Sequence, residues 1–196
     1  MFQLPFRRVN LLFATFWLSG ALCLSARESL KIPRPAPMFV LPTWDGKVLK
    51  SASLKGQVVV LEFFQTWCPD CQQSSPQLEK IYRKYKDQGL TVVGISHDGQ
   101  GVKAVEPFVK KYDLTYPVVL GDLSIAINYV GITREDRDGF HIPYVVLIDR
   151  KGNIVAQYEE GIDKEATDIG GLELKIKALL GILSVTVDVI QPSAKP

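Results

Sequence analysis

Two kinds of apolar spacing alternate along the chain. "QVVVLEFFQ", Gln57 to Gln65, is continuous in Val, Leu and Phe, which predicts a strand buried on both faces. "LTVVGIS" and "YPVVL" repeat that pattern further on. Between them the period changes. Leu78, Ile81, Tyr82 and Tyr85 recur at i, i+3, i+4 and i+7, one face of a helix that ends near Gly89. Val105, Phe108, Val109 and Tyr112 mark a second helix, and Ser124 to Val130 a short third. "YVVLID", the turn Asp149-Arg150-Lys151-Gly152 and "NIVAQY" read as a hairpin, followed by a helix striped by Leu172, Ile176, Leu179, Leu180 and Leu183. Ahead of all these, "MFVLPTWDGKVLKSASLKG" sets two short apolar runs around Asp45-Gly46, a hairpin signal. Strands alternating with helices, then a hairpin and a helix, predict an α/β sheet covered on both faces.

The two ends have a different texture. Arg7 and Arg8 precede Val9 to Ala26, a run with no charged residue. That order is the layout of an export signal, and the run is also long enough to anchor the chain in a bilayer if it is not cut. Residues 1–26 are therefore read as signal peptide or membrane anchor. Residues 27–37, with three prolines and three basic residues, are read as an extended spacer. The folded domain is expected over 38–184, and a frayed tail over 185–196.

Composition removes some functions. With 23 basic against 21 acidic residues the formal charge is +2, and no run of five like charges occurs. Neither gives a footprint for nucleic acid. Of three cysteines, Cys23 lies in the targeting segment, which leaves Cys68 and Cys71 to the domain. One pair closing so short a loop restrains little chain entropy, so a structural staple is a poor explanation. The pair is there to react or to bind.

Its position favours reaction. A strand runs straight into Trp67-Cys68-Pro69-Asp70-Cys71, and a helix follows. Cys68 then sits at a helix N-terminus, where unsatisfied N–H groups and the helix dipole favour thiolate. Cys71, one turn in, is placed to attack a mixed disulfide formed on Cys68. Asp70 puts a carboxylate beside that thiolate, which opposes its ionisation and biases the pair towards reduction of others.

"VVVLEFFQTWCPDCQQSSPQLEKIY" resembles the thioredoxin superfamily, and "IPYVVLIDRKGNIV" extends the similarity to its exported TlpA/ResA-type thiol:disulfide oxidoreductases. The resemblance implies a three-layer α/β/α fold with a central mixed sheet and an N-terminal β-hairpin. It implies Cys68 as the attacking thiol, exposed at the helix start, and Cys71 as the resolving one. It also implies Glu62 as a buried general acid/base and Pro143 as a cis-proline opposite the pair. Trp67, Pro69 and Asp70 would tune the redox poise, and Ile142 and His141 would border the substrate groove. No cofactor is expected beyond a redox-active Cys68–Cys71 disulfide. The partners implied are client proteins with disulfides or thiols, as in cytochrome c maturation, and a membrane thiol-reducing electron donor, in a periplasmic or other extracytoplasmic setting.

Two features keep other readings open. "GITREDRDGFHIP" inserts a segment, Arg134 to His141, where such chains run more directly to the proline. A histidine there is similar to the Sco copper proteins, and Cys68, Cys71 and His141 would make a soft Cu(I) site. Sco proteins, however, space their cysteines by three residues and not two. A peroxiredoxin would need Thr or Ser three residues before its reactive cysteine, and Gln65 is there. His97, after the second buried strand, should face the same end of the sheet as Cys68 and is read as a loop residue.

Overall fold

Val58–Phe64 forms the central strand, and all seven of its residues are buried. In a computed structural model of the chain, residues 31–131, 140–159 and 169–183 are described. In chain order these give β1 (Arg34–Pro35), β2 (Val40–Pro42), β3 (Val48–Lys50), β4 (Val58–Phe64), α1 (Pro69–Tyr85), β5 (Leu90–Ser96) and α2 (Val102–Lys111). Then come β6 (Val118–Leu120), α3 (Leu123–Val130), β7 (Tyr144–Ile148), β8 (Asn153–Glu159) and α4 (Ile169–Leu180). The expected α/β order is present throughout.

Six strands form one mixed sheet in the order β1-β8-β7-β4-β5-β6. β4, β5 and β6 run parallel, while β7, β8 and β1 add on antiparallel. Successive side chains of a strand point to opposite faces, and β4 divides its residues accordingly. Val58, Val60 and Phe64 join the core under α1, α2 and α4. Val59, Leu61 and Phe63 join the core under α3 and the β2–β3 hairpin. Glu62 falls in the first set, so its carboxyl is aimed at α1. The fold is thioredoxin-like: helices on one face, a helix and the hairpin on the other.

The hairpin pairs Val40 with Lys50 and Pro42 with Val48, around Gly46 at φ +82°. It covers the β6 edge, since Trp44 donates its N–H to the Val118 carbonyl at 3.1 Å. On the opposite edge the structure differs from the sequence reading. Arg34 and Pro35 pair with Ile154 and Asn153, and Ile32 is buried in the core. From Ile32 on, the proline-rich segment is laid against the sheet and does not stand off it as a spacer. Proline tolerates an edge position because its missing N–H can face away from the ladder. A two-residue strand among prolines has no periodicity to read. Residues 1–30, residues 134–139 of the Arg134–His141 insertion and the tail from Val185 lie outside the described residues.

Candidate active site

Cys68 and Cys71 sit where β4 meets α1, and three side chains set that junction. Asp98, just past β5, accepts the Thr66 N–H at 3.0 Å and the Thr66 hydroxyl at 3.0 Å. Gln72 donates to the Thr66 carbonyl at 2.9 Å. The loop before Cys68 is therefore tied to the neighbouring strand and to the first turn of α1. Cys68 is the N-cap residue, with extended backbone (φ −72°, ψ 121°), and Pro69 occupies the first helical turn, where a missing N–H costs nothing.

The sulfur of Cys68 takes the place of a capping oxygen. It accepts the Cys71 N–H at 3.2 Å, so the charge-favouring end of the helix acts directly on it. On its other side it faces the Ile142 carbonyl at 3.6 Å, and the Ile142–Pro143 peptide bond is cis. Both thiols are free. Cys68 is more covered than expected, at 5% exposed against 0% for Cys71. Trp67 beside it is 66% exposed, and Pro69 and Asp70 are exposed too. Burial pushes the Cys71 thiol well above its ordinary range, helped by its contact with Cys68 and the nearby Glu62 charge.

Glu62 is fully buried. Ser74 donates to one carboxyl oxygen, and Ser75 to the other at 2.9 Å. The Tyr116 hydroxyl reaches the second oxygen at 3.4 Å. Burial raises its pKa to about 7 although all three hydroxyls oppose the rise. A carboxyl balanced near neutrality, close enough to Cys71 for its charge to be felt there, suits proton transfer.

Gly94 lies beside Glu62 on β5, and a Cβ there would come within 3.0 Å of the Phe64 ring and 3.3 Å of the Tyr116 ring. The bare backbone at that position makes room for Tyr116 to reach the carboxyl. Ser74, Ser75, Tyr116, Gly94 and Asp98 are the residues that sequence reasoning missed. Ser74 and Ser75 interrupt the stripe Cys71, Leu78, Ile81, Tyr85 on the buried side of α1. Polar residues on a buried stripe, opposite an acid in a buried strand, were the available signal.

His141 is held by Glu159. Its backbone N–H and its ring Nδ1 both meet Glu159, at 2.8 and 3.0 Å. Among the described residues no three His, Cys, Asp or Glu side chains are grouped to hold a metal ion. Of the copper alternative Cys68, Cys71 and His141, the imidazole is the member engaged elsewhere, by the buried Glu159. His97 is half-buried, follows β5 as expected, and packs against Phe140 with ring centroids 5.8 Å apart. Burial lowers its pKa.

The model of the AhpC/TSA family matches residues 32–157. This chain belongs to that family. It is 31% identical over 141 residues to the thiol-disulfide oxidoreductase ResA of Bacillus cereus, covering 72% of this chain and 77% of that one. Its identity to ResA of Bacillus subtilis is 33% over 132 residues, with 67% and 69% covered. Among solved structures, a thioredoxin-family thiol:disulfide interchange protein of Chlorobium tepidum superposes with a TM-score of 0.65 at 30% identity. That match covers 78% of this chain and all of the other. This AhpC/TSA-family chain is accordingly a thiol-disulfide oxidoreductase. Its match begins at Ile32, the first of the described residues to enter the core.

Proposed function

We propose that this oxidoreductase reduces disulfides of exported partner proteins through Cys68 and Cys71, with cytochrome c maturation as the client class. One observation carries the reading: the Cys68 sulfur caps α1 and accepts the Cys71 N–H while facing the carbonyl before a cis-proline. The Cys68 thiolate attacks one sulfur of the client disulfide. The client S–S bond breaks, its other sulfur leaves as thiolate and takes a proton, and a mixed disulfide forms. Glu62 then accepts the Cys71 proton, and the Cys71 sulfur attacks Cys68. The second client sulfur leaves as thiolate and takes a proton from solvent, two electrons have passed to the client, and Cys68–Cys71 is a disulfide. A dithiol donor in the membrane resets it. Asp70, exposed beside Cys68, opposes the thiolate and so favours the oxidised end state, the bias of a reductant. The charged-then-apolar N-terminus supports an extracytoplasmic site of action, with residues 1–26 as signal or tether.

The test is trapping. Cys71→Ser should accumulate mixed disulfides with clients, and Cys68→Ser should abolish exchange. Iodoacetamide should modify Cys68 well before Cys71 in the reduced protein. Equal alkylation rates, or trapping by Cys68→Ser instead, would reverse the assigned order.

A further inference from the structure

Glu62 has no exposed surface through which to exchange a proton directly. Its carboxyl is fully buried, and Ser75 and Tyr116, which hold one of its oxygens, are 0% and 2% exposed. Ser74 holds the other oxygen and differs from them, being only half-buried. Its hydroxyl also lies 3.4 Å from the Cys71 carbonyl. Donating to that carbonyl frees a lone pair towards Glu62, so the hydroxyl has one orientation that gives to the carboxylate and one that receives from the acid. Among the described residues no cation acts on Glu62; those facing it are Ser74, Ser75 and Cys71 from α1, and Tyr116 ahead of β6.

We propose that Ser74 is the proton exit of Glu62, passing to solvent water the proton that Glu62 takes from Cys71. This rests on the reading of Glu62 as acid/base. Protonated Glu62 gives its proton to Ser74 Oγ as the hydroxyl's own hydrogen, turned from the Cys71 carbonyl to a water on the half-exposed side, leaves to that water. The Ser74 hydroxyl is restored, Glu62 returns to carboxylate, and no electrons move. Ser75 and Tyr116 position the carboxyl and Ser74 connects it outward.

The experiment is exchange with a small disulfide, followed across the titration of Glu62 in light and heavy water. The series comprises Ser74→Ala, Ser74→Thr, Ser75→Ala, Glu62→Gln and the Ser74→Ala/Glu62→Gln double variant. Ser74→Ala and Ser75→Ala each remove one hydroxyl from the carboxylate, so both should move the pH profile towards higher pH. Ser74→Ala should in addition lower the plateau rate by about 10-fold, below the ~100-fold lower end of direct acid–base assistance because slower proton routes persist. Ser75→Ala should lose less at the plateau. Ser74→Thr should restore the rate, and Ser74→Ala should add nothing in the Glu62→Gln background. The solvent isotope effect should change in Ser74→Ala, a readout that a packing defect would leave alone. If Glu62→Gln is slow but Ser74→Ala and Ser75→Ala have equal plateaus, the exit is overturned and Glu62 keeps its role. If Glu62→Gln itself exchanges normally, both readings fall together.

Discussion

Glu62 and Glu79 are two buried glutamates on the same side of the sheet, 0% and 4% exposed, with opposite surroundings. Glu79, in α1, is met by Arg83 one turn on, by the Thr115 N–H at 2.7 Å, by the Thr115 hydroxyl, and at 3.4 Å by the Tyr116 N–H. Arginine and backbone N–H groups can only donate, so they require an anion or a carbonyl in that place. Glu62 meets hydroxyls alone, and a hydroxyl serves a carboxylate or a carboxylic acid equally. Tyr116 touches both, giving its N–H to Glu79 and its hydroxyl to Glu62. Burial is common to the pair. What separates them is the kind of partner: fixed donors around Glu79, and around Glu62 hydroxyls that can give or receive.

The sharpest test of that contrast is stability, because the same substitution should act with opposite signs. Glu62 is raised to about 7 by burial. Below the unfolded value, near 4.5, both states are protonated and nothing is lost. From there up to about 7 the unfolded chain releases a proton that the folded chain retains, so stability falls as pH rises. Above 7 the loss is complete, roughly 3 kcal/mol. Glu62→Gln should therefore melt higher than the parent at pH 8, by up to about 3 kcal/mol, and show no advantage at pH 4. A constant difference across pH would mean that the carboxyl ionises normally.

Glu79→Gln should destabilise, by about 1–3 kcal/mol, since one end of the amide must face donors that it cannot accept from. Denaturant unfolding reads this, and disulfide exchange in the folded variant should match the parent. A stabilised Glu79→Gln would erase the distinction drawn here.

Kinetics give the next effect in size. Glu62→Gln should slow exchange about 10- to 100-fold near pH 7 and less in alkali, where hydroxide replaces the missing base. An unaltered rate would leave Glu62 buried but idle.

The smallest shift is expected from a third acid that is not buried at all. Asp70 is exposed beside Cys68, so solvent screens its effect on the thiolate. Asp70→Asn should raise the reduction potential by no more than about 30 mV, equivalent to ~1.4 kcal/mol for two electrons. A fall in potential would contradict the assigned sign.

The contrast between the glutamates also marks where sequence reading stops. Strands and helices show in it because each carries several apolar residues at a fixed period. Cys68 and Cys71 show as a close pair and Glu62 as an acid in an apolar run, whereas the roles of Glu62 and Pro143 come only with the resemblance to thioredoxins. Ser74 and Ser75 are commonplace residues whose meaning depends on facing Glu62 twelve and thirteen positions away. Tyr116 reaches the carboxyl from 54 positions on, through a gap that Gly94 leaves on a third segment. The turn of His141 onto Glu159 depends on β7 and β8 lying side by side. Such relations belong to pairing across the sheet, and no local period encodes them. β1 was missed for a simpler reason, being two residues long and half proline.

That short edge strand also closes a rim of the sheet. Arg34 and Pro35 occupy Ile154 and Asn153 at the start of β8, and a proline there offers no N–H to a further strand. A chain begun at Met38 would bare those two residues of β8 and lose the buried Ile32, leaving an edge open to pairing with a second copy.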